Sequence, residues 1–143
     1  MSPTVVVTRR AHFNAAHRLY NPTWSDAENA RVFGPCANPN FHGHNYNLDV
    51  SVAGEVAPAT GYVIDIKVLK DLIEEHVLRR LDHRNLNLDV PEFADGKLIP
   101  TGEHLARFIC ERVQAALAHT TARVVRVHLA EDATLSSAYE VDA

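Results

Sequence analysis

The chain opens with an alternating stretch. Val5, Val7, Ala11, Phe13, Ala15 and His17 fall on one face of an extended segment, broken only by Arg9, so residues 5–17 predict a strand ending on a histidine. A second alternation, over residues 42–53, puts His42, His44, Tyr46, Leu48, Val50 and Val52 on the face expected to be covered. Between them, Asn21-Pro22, Ser25-Asp26, Gly34-Pro35 and Asn38-Pro39 read as one long loop, anchored by Trp24 and Phe33, that delivers Cys36 to the foot of the second strand. Residues 54–61, with Pro58 inside, predict a hairpin connection to a short strand over 62–66. The period then changes: Val68, Leu69, Leu72, Ile73, Val77 and Leu81 form one stripe of a helix over 67–81. Residues 84–91 are turn-rich and run into Pro91, which leaves Asp82 and His83 at the helix end or just beyond. Thr101 predicts the N-cap of a second helix, with Glu103 in its first turn and Leu105, Phe108, Ile109, Val113, Ala116 and Leu117 as its stripe. Cys110 lies beside that stripe and reads as core. Residues 122–131 and 135–141 predict two final strands, the first placing Glu131 at the edge of a face shared with Val125, Val127 and Leu129. The order strand, strand, helix, helix, strand, strand predicts an α+β layer, an antiparallel sheet with helices on one face.

At 143 residues, the chain has the length of one domain, 1–143, with one sizeable core. A net charge of −4 without a basic stripe argues against nucleic-acid and anionic-membrane partners. Apolar residues at 46% and charged residues at 22% are ordinary soluble usage, which removes disordered and coiled-coil readings. Two cysteines, Cys36 and Cys110, are too few for a disulfide scaffold and suit a reduced cytoplasm, the expected compartment. No apolar run reaches the ~20 residues of a membrane helix.

Chemistry concentrates around His42-Gly43-His44. Two imidazoles on one partly dry strand face suit a borderline-soft metal such as zinc, and pairing of the first two strands would add His17 as a third ligand. A strand-end histidine with no metal is the plain alternative. Cys36 has three readings at this level: a fourth ligand that closes the site, a thiolate base beside an open one, or a small buried side chain. Asp82 and His83 can work as a carboxylate–imidazole pair only if a turn lets adjacent residues face each other. Otherwise they are a solvated helix end. Glu131 can accept two parallel hydrogen bonds from a flat N–H/NH2 edge, or simply end a strand in solvent. His12, His76, His104, His119 and His128 have no evident partner.

Several stretches together carry a resemblance: Phe13-Asn14-Ala15-Ala16-His17-Arg18-Leu19, the run from Val32 to Tyr46, Leu81-Asp82-His83-Arg84-Asn85-Leu86-Asn87, Pro100-Thr101-Gly102-Glu103 and the late Glu131. In order and spacing the chain resembles the 6-pyruvoyl-tetrahydropterin synthase family, which also contains the 6-carboxytetrahydropterin synthases of the queuosine pathway. The resemblance implies the tunnelling fold, in which four-stranded antiparallel sheets with two helices on one face join into a barrel by oligomerisation, commonly a homohexamer built as a dimer of trimers. It implies sites between subunits, zinc on His17, His42 and His44, Cys36 as base with Asp82 and His83 as its proton-handling partner, and Glu131 as pterin anchor aided by Thr101 and Glu103. The implied reaction starts from 7,8-dihydroneopterin triphosphate and eliminates triphosphate, with zinc as the only cofactor. Five residues between Cys36 and His42, including Asn38-Pro39-Asn40, favour the pyruvoyl branch over the carboxy branch. A non-catalytic zinc- or pterin-binding homologue is the alternative from another class. The chain differs from the pyruvoyl pattern at Gly102, where a second threonine is common, in a slightly longer loop before Thr101, and at Asp132-Ala133.

Overall fold

In the computed structural model, which describes residues 4–141, the first two strands form the backbone of the sheet. Strand β1 (Val5–His17) pairs antiparallel with β2 (His42–Gly54) from Val5↔Gly54 to His17↔His42. That register puts Phe13 opposite Tyr46 and the rings stack at 4.8 Å. It also brings the histidine at the end of one strand to the histidine at the start of the other.

Strand β4 (Arg123–Asp132) pairs with the other edge of β2, and β5 (Leu135–Glu140) pairs with β4. A fifth strand, β3 (Arg84–Asn85), adds in parallel to β1 at Ala15 and Ala16, giving the order β3-β1-β2-β4-β5. The sheet is therefore five-stranded and mixed, where the sequence predicts four antiparallel strands. The α+β layering is as expected. The strand expected at 62–66 is absent, and the reason is topological: β1 and β4 occupy both edges of β2, so no ladder position is left for a hairpin partner. Instead Ala57 N–H donates to Tyr62 O in a turn, Ile64 packs into the core, and Asp65 caps the following helix by accepting from Lys67 and Val68 N–H. A β-bulge opposite Ser51 and Val52 also moves Val125 off the covered face and buries Val124 in its place.

The first long helix is not uniform. Helix α2 (Ile66–Ile73) passes through a π-helical turn, Glu74–Leu78, into α3 (Arg79–Leu81). Leu69, Ile73, Val77 and Leu81 are all essentially inaccessible. Each step of four residues overshoots an α-helical turn by about 40°, and the wider π turn recovers the drift so that all four reach the core. The same turn exposes a carbonyl, His76 O, which accepts from Arg112 Nε at 2.8 Å. Arg112 belongs to α5 (Gly102–Ala116), which starts at the predicted Thr101 cap and buries Leu105, Phe108, Ile109, Cys110 and Val113. Both helices cover the face of β2 carrying Tyr46, Leu48, Val50 and Val52, each fully buried. Among the described residues no helix covers the other face, with Arg10, Asp49 and His128, and Arg10 and Asp49 pair there through two hydrogen bonds.

The segment expected as one loop contains helix α1 (Asp26–Phe33), capped by Ser25, and a 3-10 turn Gly34–Ala37. The Ser25-Asp26-Ala27-Glu28 pattern is a capping-box signature, and Ser25 Oγ does accept from Glu28 N–H. Trp24 and Phe33 stack on each other across α1, with Trp24 exposed rather than set into the core. A short helix α4 (Leu86–Asp89) follows β3. Among the described residues, no helix is long and apolar enough to cross a membrane.

Candidate active site

His17, His42 and His44 meet where β1 ends and β2 begins. One ring nitrogen from each lies within 4.8 Å of the others, and the rings face edge to plane at 4.6–5.1 Å between centroids. His17 is fully buried, and its Nδ1 is 2.8 Å from Pro100 O. A carbonyl can only accept, so Nδ1 carries the hydrogen and Nε2 turns its lone pair into the cluster. His17 Nε2 and His42 Nδ1 are buried with no hydrogen-bond partner. Burial, together with the neighbouring imidazoles, lowers the pKa of His17 to about 4 and that of His42 also falls, again chiefly from burial. Neutral imidazoles with free lone pairs and an outer carbonyl on the far nitrogen are what a divalent metal needs. The residues fit such an ion.

Cys36 sits half-buried on the 3-10 turn, outside the three-histidine group. The turn is tied to the chain just past His17: Leu19 N–H donates to Cys36 O, and Arg18 Nε donates to Ala37 O, both at 2.8 Å. Buried Asn87 holds Arg18 from the other side, accepting its N–H and donating to its carbonyl. These contacts tie the thiol-bearing turn to the residues that directly follow His17.

Asp82 ends α3, and His83 turns back with φ of +59°, which is the turn the pair requires. Asp82 Oδ1 lies 3.0 Å from His83 Nδ1. The pair docks on β1 through Asn14, whose N–H donates to Asp82 Oδ1 and whose carbonyl accepts from His83 N–H. Burial would raise the Asp82 pKa, but the Asn14 and His83 hydrogen bonds outweigh it and hold the carboxyl below its usual range. The His83 side chain is 77% exposed and lines an open cavity of about 570 Å³ with Gly43 and His44; Cys36 does not line it.

Glu131 stands near the end of β4, half-buried beside the start of α5. Burial raises its pKa and the Glu103 and Asp132 charges add to the shift, against an opposing pull from His44. Thr101 Oγ1 accepts from His104 N–H as the cap. Glu103 is exposed and 3.4 Å from Ser137 Oγ. The segment Pro100–Glu103 thus runs from the three-histidine cluster to the Glu131 carboxylate. Sequence reasoning gave no role to Ser137, and it placed Pro100, Asn14 and Asn87 in motifs without a role, because nothing local shows that their atoms meet distant partners.

A family model described as 6-pyruvoyl tetrahydropterin synthase matches residues 6–142, nearly the whole chain. The chain belongs to the 6-pyruvoyl tetrahydropterin synthase family. Within it, the human protein named 6-pyruvoyl tetrahydrobiopterin synthase is 49% identical over 111 residues, covering 78% of this chain and 75% of its own. A solved structure of the Caenorhabditis elegans 6-pyruvoyl tetrahydropterin synthase superposes with a TM-score of 0.89 at 36% identity, covering 98% of this chain and 97% of that one. A Pyrococcus furiosus protein named dihydroneopterin monophosphate aldolase is 35% identical over 108 residues, 76% of this chain and 74% of its own. The expected family is therefore correct, although a relative with a different named activity also matches.

For this family member, the buried histidines make a pH prediction. Above the unfolded pKa of 6.5, His17 is neutral folded and unfolded. As pH falls from 6.5 towards about 4, the unfolded chain takes a proton the folded one resists, so stability is lost across that window. The loss is about 3 kcal/mol at most. Urea midpoints of chelator-treated protein should fall over this range, less so in His17→Asn; parallel profiles for the two would contradict it.

Proposed function

We propose that this chain is a zinc-dependent 6-pyruvoyl-tetrahydropterin synthase, a single domain that converts 7,8-dihydroneopterin triphosphate to 6-pyruvoyl-tetrahydropterin and releases triphosphate. The observation that carries the reading is the three-imidazole cluster with free inward lone pairs, joined by Pro100–Glu103 to a half-buried carboxylate. Zinc on His17, His42 and His44 would supply Lewis acidity, stabilising negative charge on oxygen as a neighbouring C–H proton leaves.

The chain's own residues do the rest. Glu131 accepts a flat N–H/NH2 edge in two parallel hydrogen bonds and so fixes the ring. Thr101 adds its hydroxyl, and Glu103 lies within reach of the same end. Cys36 takes the proton from the substrate side chain, and the Asp82–His83 pair returns protons at the other stage, Asp82 holding the imidazole and its charge. Side-chain oxidation is balanced by ring reduction within the one molecule as triphosphate leaves.

The exposure of His83 away from its own Cys36 supports a pair that serves a neighbouring copy. The polar sheet face without a helix supports closure of several sheets into a barrel, with a homohexamer of two trimers as the assembly. The reduced thiols suit the cytoplasm, and the net charge suits a small-molecule substrate without nucleic-acid or membrane partners.

Incubating the purified, zinc-loaded protein with dihydroneopterin triphosphate and weighing the products tests this. The expected outcome is one equivalent of triphosphate and a pterin with the mass of the pyruvoyl product. A carboxy-pterin mass would assign the queuosine-type branch instead, and side-chain cleavage without triphosphate release would point to an aldolase. Bound metal with no turnover would leave a non-catalytic homologue.

A further inference from the structure

Gly102 is the one buried residue at the start of α5 with no side chain, and its surroundings say why. A Cβ there would stand 2.9 Å from Ser137 Oγ, closer than real Cβ contacts allow, and 3.6 Å from Glu131 Oε1. The Ser137 hydroxyl therefore packs directly against Gly102, and the Glu131 carboxylate lies beside the same position. Ser137 lies opposite Leu129 in the β4–β5 ladder, two residues before Glu131, and shares the helix-covered face. Its Oγ donates weakly to Glu103 Oε1 at 3.4 Å, which leaves the oxygen lone pairs unused.

We propose that the Ser137 hydroxyl, admitted by Gly102, accepts the second N–H of the ring's exocyclic amine while Glu131 accepts the first. The inference rests on the reading of Glu131 as ring anchor. An amine on a flat heterocycle has two hydrogens about 120° apart; a carboxylate that also takes the ring N–H can reach only one. The other must find an acceptor or lose its water unpaid. Ser137 Oγ and Glu131 Oε1 both border Gly102, so the two acceptors stand close enough to share one amine, with Glu103 in contact with the hydroxyl at 3.4 Å. The ligand class selected is a 2-amino-4-oxopteridine over the same ring without the amine.

The test uses the zinc-loaded protein and two fluorescent probes, pterin (2-amino-4-oxopteridine) and 4-oxopteridine. Ser137→Ala should weaken pterin binding about 3- to 10-fold, the worth of one hydrogen bond, while 4-oxopteridine affinity and zinc content stay as in wild type. Gly102→Ala, which drives a methyl into the hydroxyl's place, should do the same. Equal affinities of Ser137→Ala and wild type for pterin overturn the proposal, as does an equal loss for both probes, which would be a packing effect. Failure of the wild type to bind either probe would instead bring down the ring-anchor reading itself, and this proposal with it.

Discussion

Replacing Cys36 by alanine is expected to lower triphosphate release by about 10²- to 10⁴-fold, the usual worth of a positioned base, with zinc content and stability unchanged. The thiol is outside the three-histidine group, so its loss leaves all three nitrogen donors in place. The turn that carries it is held by backbone atoms of Leu19, Cys36 and Ala37 and by the Arg18 side chain, none of which the substitution removes. His83→Ala should be comparably inactive. If the pair serves a neighbouring copy, mixing the two inactive proteins under subunit exchange restores activity, because roughly one site in four then combines an intact Cys36 with an intact His83. No recovery on verified exchange would place both groups in one chain's site, and a Cys36→Ala protein with full turnover would remove the thiol from the base role.

Alanine at His42 or His44 should strip the metal. Each removes one of three protein donors, and outer partners alone change metal affinity by 10- to 100-fold, so loss of a direct ligand should leave less than a tenth of an equivalent after dialysis. Elemental analysis reads this directly, and stoichiometric zinc in either variant would sink the site. His17→Ala should behave alike but also destabilise the fold: a buried imidazole bonded to Pro100 O leaves a cavity and an unpaired carbonyl. The contrast separates ligand loss from unfolding, since the other two histidines are only partly buried.

Much of this was legible because alternation is a strong signal. The register of β1 on β2 follows from two apolar faces that must coincide, and it delivers His17 to His42 as expected. The Thr101 cap and the two covering helices were readable in the same way. What escaped depends on the rest of the molecule. The short strand at 62–66 had suitable residues but no free sheet edge, and β3 has too few residues for any period to show. In α1 the Ser25 capping box went unread among turn-forming prolines and glycines. Asn14, Asn87 and Pro100 act through main-chain or side-chain atoms that meet partners 60 or more residues away, as in the Asn14–Asp82 and Arg18–Asn87 bonds, separated by 68 and 69 positions. No sequence pattern records such a meeting.

The π turn at Glu74–Leu78 bears on evolution of the site as well as on packing. A π turn is in effect one extra residue in a helix, and removing it would rotate everything downstream by about 100°. Asp82 and His83 come immediately after that helix, and Asn14 accepts them in only one orientation. A single-codon deletion here would therefore leave the three histidines untouched and still pull Asp82 and His83 off their Asn14 contacts. On the role proposed for Asp82 and His83, helix length matters to proton transfer as well as to packing, and lineages should vary the sequence of this turn more freely than its residue count.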